Sequence, residues 1–195
     1  MKVILCSVVF LMLLSSCIKD KDYKPTLPDI TTSGANTMGF VYGESSIWTA
    51  IFRTYYMFGT YRYLPSVQCQ LQHFFDSSSG FYISGSMYIK NINGTVPDNS
   101  EFTIFLNNAE FANKTYLFDT INRSTIAFEN SLINKKYLSI PNTFTLTVAN
   151  IDTSKEIISG FFSGTLYYFK SNTGYNLNDS LKIHEGRFDI TYFHF

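Results

Sequence analysis

Apolar and polar residues alternate with a period of two through most of the chain, and this pattern limits the fold more than any other feature. Successive side chains of a β-strand point to opposite faces, so alternation predicts strands with one buried face. The chain has 19 Phe and 14 Tyr, types that favour strands. The clearest inward-facing sets are Phe81, Ile83, Met87 and Ile89, then Phe102, Ile104 and Leu106, then Phe144, Leu146 and Val148, and finally Phe188, Ile190 and Tyr192.

Turn sequences rich in Gly, Asn, Asp and Ser separate these segments, and no helix-length amphipathic stretch occurs after the first 16 residues. The pattern predicts one all-β domain over residues 36–195. Either a single antiparallel β-sandwich or a partly open β-meander barrel fits the spacing. We expect Trp48, the only tryptophan, to be buried in its core. Phe161 or Phe162 should join it, together with Phe188 and Ile190.

The first residues have the composition of a secretory signal. Lys2 precedes an apolar run from Val3 to Leu14 that is too short to cross a bilayer, which takes about 20 residues. Residues 1–16 are therefore predicted to be a cleaved signal-peptide helix. Residues 14–17 (LSSC) resemble a bacterial lipobox, which implies that Cys17 carries lipid such as palmitate. Residues 17–35, with alternating charges and two prolines, are predicted to be a lipidated flexible tether.

The remaining cysteine and the predicted location follow from this interpretation. Cys6 would leave with the signal and Cys17 would be acylated, so Cys69 is alone and no intrachain disulfide is expected. A lone Cys69 is predicted to be a small buried apolar residue rather than a nucleophile. Residues 18–22 (IKDKD) resemble surface-export signals of Bacteroidota lipoproteins. The expected location is the outer membrane at the cell surface, with the periplasmic face as the alternative.

Three further segments resemble a family of Bacteroidota lipoproteins of unknown function. Residues 33–39 (SGANTMG), with Trp48 after them, are similar to the segment that opens its domain. Residues 157–164 (IISGFFSG) and 185–189 (EGRFD) resemble its later strands. The chain differs in having Phe40 where the family has cysteine. The resemblance implies an all-β lipoprotein domain and assigns no functional residues.

Charge and motifs argue against several classes of function. The formal net charge is zero and only 15% of residues are charged, so nucleic acid is not an expected partner. His73, His184 and His194 lack metal-ligand spacing, and no serine elbow or phosphate-binding glycine loop occurs. We therefore expect no catalytic residues, no metal and no cofactor. Any pair among the 15 acidic residues could serve a glycosidase, but the sequence selects none.

Two kinds of surface site remain as predictions. Residues 55–63 (YYMFGTYRY) are dense in aromatics, and Tyr55 and Tyr63 are candidates for an outward platform that stacks on sugar rings. Core packing is the competing interpretation of that stretch. Asp119-Thr120-Ile121 and Asp179-Ser180-Leu181 resemble the acceptor tripeptide of Bacteroidota O-glycosylation, which makes Thr120 and Ser180 candidate modified residues.

The function predicted from the sequence is that of a membrane-anchored, non-catalytic binding or structural module of the bacterial cell envelope. Its partners would be the membrane, through Cys17, and a glycan or another envelope protein. The alternative is a glycan-active hydrolase whose carboxylates are not assigned.

Overall fold

A computed structural model describes residues 24–56, 60–73, 79–89, 98–107, 112–118 and 124–194. The predicted signal peptide and Cys17 lie outside these residues. The described part of the chain is all-β, as predicted, and none of it forms a helix long and apolar enough to cross a membrane. Its strands are β1 Thr37–Tyr42, β2 Ser46–Thr49, β3 Ile51–Tyr56, β4 Thr60–Pro65, β5 Val67–His73, β6 Ser79–Ile89, β7 Asp98–Asn107, β8 Thr115–Leu117, β9 Thr125–Asn130, β10 Lys135–Asp152, β11 Ile157–Lys170 and β12 Gly174–His194.

The predicted alternation sets which face of each strand is buried. In β10, Phe144, Leu146 and Val148 are buried, whereas Thr145 and Thr147 between them are partly exposed. The inward residues of β6 and β7 predicted from the sequence are buried in the same way. Removing these side chains from water supplies the main driving force for folding, at about 25 cal/mol per Å² of apolar surface.

Seven of the described strands form a closed ring. Pairing runs from β12 through β11, β10, β9, β7, β6 and β5, and β5 then pairs with β12 again. The closing contact is parallel and joins Cys69 of β5 to Tyr192 of β12. Of the two predicted architectures, the pairing therefore gives the barrel. β2 and β1 extend the sheet from β12, β3 and β4 extend it from β6, and β8 pairs with β10.

The pairing is antiparallel, as predicted, except at two places. β5 pairs with β12 and β3 pairs with β6 in parallel. Hairpin turns between consecutive strands give antiparallel pairs, whereas these two contacts join strands that are not consecutive in the chain. The rest of the sheet follows the antiparallel pattern.

Stacked aromatic rings fill the barrel. Trp48 is 1% exposed, which confirms its predicted burial, and its ring centroid lies 4.9 Å from that of Phe40. Phe102 and Phe162 stack with centroids 5.0 Å apart. The indole Nε1 of Trp48 donates a hydrogen bond of 2.9 Å to Ser100 Oγ, so its one polar atom is satisfied inside the core.

Neighbouring positions of β11 face opposite sides of the sheet. Phe162 is 3% exposed and points into the barrel, whereas Phe161 is 40% exposed and points outward. Phe188 and Ile190 are buried, as predicted. The sequence left open which of the two phenylalanines is inside, and the structure assigns the core position to Phe162.

Gly160 allows β10, β11 and β12 to pack closely. A Cβ atom there would lie 2.1 Å from the carbonyl oxygen of Thr147 and 2.9 Å from Cζ of Phe188.

Gly160→Ala is therefore expected to reduce the free energy of unfolding by about 1–3 kcal/mol, because backbone must move to relieve the overlap. Urea denaturation measures this loss. Gly43→Ala is the control, since Gly43 has open space around it and a φ of 62°, so only the dihedral cost remains. A loss at Gly160 no larger than that at Gly43 would contradict the packing argument.

Candidate functional site

An N-terminal strap, residues 28–36, lies against the outer side of the barrel. Pro28 covers Gly39 of β1, where a Cβ atom would be 2.7 Å from the proline Cδ. Further along the strap, Asn36 accepts a hydrogen bond of 2.9 Å at Oδ1 from the backbone N–H of Thr191. The sequence assigned residues 28–35 to the tether and Asn36 to the β domain. In the structure, Pro28 already contacts β1.

The strap is held mainly by the carboxylate of Asp189, which is 1% exposed. The backbone N–H groups of Ser33, Gly34 and Ala35 donate to it at 3.0, 2.9 and 3.2 Å. The hydroxyls of Thr31 and Ser33 donate as well. Gly34 has a φ of 73°, a backbone conformation that favours glycine at this position of the strap.

The pKa of Asp189 reflects this arrangement. Burial alone raises the pKa of the carboxyl, but the hydrogen bonds from Thr31, Ala35, Gly34 and Ser33 favour the charged form and bring the pKa below its ordinary value. The carboxylate therefore stays ionised and bound to the strap at neutral pH. Residues 33–39 and 185–189, two of the segments singled out in the sequence, meet here in a structural contact.

A groove of about 400 Å³ opens on the outer face of β10, β11 and β12, beside the strap. Its outward side chains come from strands that are adjacent in the sheet, since Thr147 pairs with Phe161 and Phe161 pairs with Arg187. The groove combines one exposed aromatic ring, hydroxyl groups, one guanidinium and one carboxylate. The lining residues are Ile30, Thr145, Thr147, Phe161, Phe162, Ser163, Glu185, Gly186 and Arg187.

A β-bulge shapes the β12 side of the groove. The pairing of β1 with β12 shifts between Gly39 and Val41, opposite Glu185, which has a φ of 52°. Such a φ is uncommon for a residue with a side chain, and bulges of this kind redirect side chains near binding sites. Gly186 follows, and a Cβ atom there would lie 2.3 Å from Cδ2 of Phe162. Gly186 therefore leaves room for the ring of Phe162 in the core, and the bulge places Glu185 at the edge of the groove.

A second hollow, of about 640 Å³, lies between the β9–β10 and β11–β12 turns, with Lys136 and Glu129 in its lining 3.4 Å apart. Close to it, Lys135 Nζ donates to Asp179 Oδ2 at 2.9 Å and Tyr137 donates to Asp179 Oδ1 at 3.1 Å. The hydrogen bond from Lys135 lowers the pKa of Asp179. These charged groups are paired with one another, so we do not consider this hollow the leading candidate site.

The other residues singled out in the sequence do not belong to the groove lining that the structure describes. Cys69 is fully buried, as predicted, and burial raises the pKa of its thiol to about 12, so it is not an activated nucleophile. Tyr55 lies in β3 and Tyr63 in β4, opposite Arg53, but their side chains lie outside the described residues. Ser180 is exposed on β12, whereas Thr120 lies outside the described residues. O-glycosylation at both positions stays a prediction.

Metal ligands do not cluster in the described part of the chain, where no three His, Cys, Asp or Glu side chains approach one another closely enough to hold an ion. His184 contacts the neighbouring Glu185, with 3.7 Å between Nδ1 and Oε1. Among the groove residues that the structure describes, Glu185 is the one carboxylate. A glycosidase needs two carboxyl groups about 5–10 Å apart, and this groove offers one.

The sequence interpretation missed Phe161 and Arg187 as site residues. The run Phe161-Phe162 carries a usable signal, because two adjacent aromatics in one strand cannot both face the core. No such signal exists for Arg187, because most of its neighbours in the groove come from β10, β11 and the strap.

Comparison with known proteins identifies no relative of this chain. Neither protein-family models, nor curated proteins, nor solved structures give a significant match to this chain.

Proposed function

We propose that this protein is a lipid-anchored, non-catalytic module of a bacterial cell envelope that binds saccharide in the groove on β10, β11 and β12. The observation that carries the proposal is the exposed ring of Phe161 among hydroxyl groups. An aromatic ring stacks on the C–H face of a sugar, and neighbouring hydroxyls exchange hydrogen bonds with the sugar hydroxyls.

The hydroxyl groups near Phe161 are held in place and keep capacity for a ligand. Thr147 Oγ1 lies 2.9 Å from Thr115 Oγ1, and Thr145 Oγ1 donates to the backbone carbonyl of Ser163 at 3.3 Å. A hydroxyl offers one donor and two acceptor positions, so each of these groups has at least one position left for a sugar. Positioning of this kind lowers the entropy cost of binding.

Anchoring of the module depends on Cys17. Cys17→Ser is expected to abolish incorporation of labelled palmitate and to release the protein from the membrane fraction, because the thiol that accepts the lipid is lost. Metabolic labelling of cells that express the full chain measures this. Cys69→Ala is the matched control and should keep its label, since Cys69 is buried in the barrel. Label that persists in Cys17→Ser would contradict the lipoprotein assignment.

Saccharide binding is tested by a glycan array probed with the full-length protein in detergent. We expect bound glycans whose signal falls in Phe161→Ala, because the stacking ring is removed. The control Leu177→Ala removes an exposed apolar side chain on β12 that is not part of the groove lining, and should leave binding unchanged. Binding that is equal in both variants would contradict the groove assignment. Release of shortened sugars from the bound glycan would favour the hydrolase instead.

A further inference from the structure

The groove contains an enclosed basic group. The side chain of Arg187 is 19% exposed, whereas those of Lys136 and Lys155 are 47% and 71% exposed. Arg187 is one of the residues that line the groove, so its side chain is largely enclosed there rather than open to bulk solvent. In this position it has lost much of its hydration, which strengthens its interaction with an anion.

Arg187 has no strong partner within the described part of the chain. Its one acidic contact there is Glu185, with 3.9 Å between Nη2 and Oε2, which is longer than a hydrogen bond. A guanidinium has five N–H donors in a planar fork that matches a carboxylate in bidentate geometry. The other polar groups that line the groove with Arg187 are mostly hydroxyls.

Thr147, Phe161 and Arg187 form a row across three adjacent strands, and the spacing of this row adds a geometric constraint. Phe161 and Arg187 are directly paired on adjacent strands, so their Cβ atoms are about 5 Å apart. In a hexuronate, the carboxylate is joined directly to the pyranose ring. A ring stacked on Phe161 would therefore bring its carboxylate to Arg187, while Thr147 on the other side of Phe161 meets the sugar hydroxyls.

From this arrangement we infer that the groove selects acidic saccharides, with Phe161 stacking on a uronate ring and Arg187 binding its carboxylate. The inference rests on the proposed saccharide-binding function and adds the class of ligand to it. Glu185 at the groove edge carries the same charge as the ligand and weakens its binding.

The probes are a galacturonate tetramer and its fully methyl-esterified form, which differ in charge and keep the same backbone. Titration calorimetry of the full-length protein in detergent should give an affinity for the acid at least about 10-fold higher than for the ester. This comparison uses the unmodified protein and does not depend on the folding of any variant. Equal affinity for the two forms, or no binding of the acid, would overturn the inference.

Variants separate the two contacts. Arg187→Gln should weaken binding of the acid by about 10-fold or more and leave binding of the ester unchanged. Phe161→Ala should weaken both forms by about 3- to 10-fold. Glu185→Gln should strengthen binding of the acid alone. Lys155→Gln, which removes a distant exposed charge, is the control for net charge, and melting temperatures check that each variant folds.

Failure of this inference is distinguishable from failure of the proposed function. A neutral saccharide bound in a manner sensitive to Phe161→Ala, with no preference for the acid, would overturn the acidic specificity and leave the saccharide groove standing. Loss of acid binding that is equal in Arg187→Gln and Lys155→Gln would assign the effect to overall charge and overturn the role of Arg187.

Discussion

Trp48→Ala is expected to reduce the free energy of unfolding by about 3–5 kcal/mol, the cost of removing a large aromatic side chain from a packed core. Trp48 is fully buried, stacks on Phe40 and lies 6.1 Å from Phe102 between ring centroids. Its removal leaves a cavity that these rings cannot fill without leaving their own contacts. Because a domain has a total stability of about 5–15 kcal/mol, the loss should be visible in urea denaturation as a large decrease of the midpoint.

Two further variants separate the contributions of Trp48. Ser100→Ala removes the acceptor of the indole N–H and should cost about 1–3 kcal/mol, because a buried donor is left without this partner. Leu177→Ala, at an exposed position, should change stability by no more than about 0.5 kcal/mol. A loss for Trp48→Ala as small as that for Leu177→Ala would contradict the assignment of Trp48 to the core.

Asp189→Asn is expected to cost about 2–4 kcal/mol, because the charged acceptor of the strap is lost and an amide NH₂ is placed among backbone N–H donors. The pKa of Asp189 is lowered in the folded protein, so its carboxylate contributes stability above the unfolded pKa of about 3.9. That contribution is lost as the pH falls through the lower, folded pKa.

The free energy of unfolding, measured as a function of pH below neutral, tests this contribution. The native protein should lose stability progressively as the pH falls below about 4–5, and Asp189→Asn should reduce this loss while it lowers stability at neutral pH. Glu44→Gln is the control, because Glu44 lies exposed in the turn between β1 and β2. An identical pH profile for the native protein and Asp189→Asn would show that the strap contact does not contribute to stability.

The period-two alternation was sufficient to predict an all-β domain and the buried faces of β6, β7, the middle of β10 and the end of β12. It could not decide between a sandwich and a barrel, because closure depends on pairing between β5 and β12, where the paired residues Cys69 and Tyr192 are more than 120 positions apart in the chain. Alternation describes one strand at a time and carries no information on its partner. The same limit applies to the choice between Phe161 and Phe162.

The strap shows a different limit of sequence interpretation. Residues 31–35 (TTSGA) are small and polar, a composition typical of tethers, and nothing in that segment indicates a buried partner. Their order depends on the carboxylate of Asp189, more than 150 positions later. The groove was equally hard to predict, because Thr147, Phe161 and Arg187 belong to three strands that only the sheet brings together.

The strap also determines how the protein would respond to mechanical tension. A pulling force applied at residue 24 passes the packing contact of Pro28 with Gly39 and then loads the five hydrogen bonds on Asp189, before it reaches the strand pairing of β1. Asp189 lies in β12 with β11 on one side and β1 on the other, so the load enters a strand that is held along both edges. Hydrogen bonds that share a load at the same time resist more force than hydrogen bonds that break one after another. If the protein is anchored through Cys17, as we propose, β1 should therefore stay paired with β12 under a shear force applied through the residues that precede the strap.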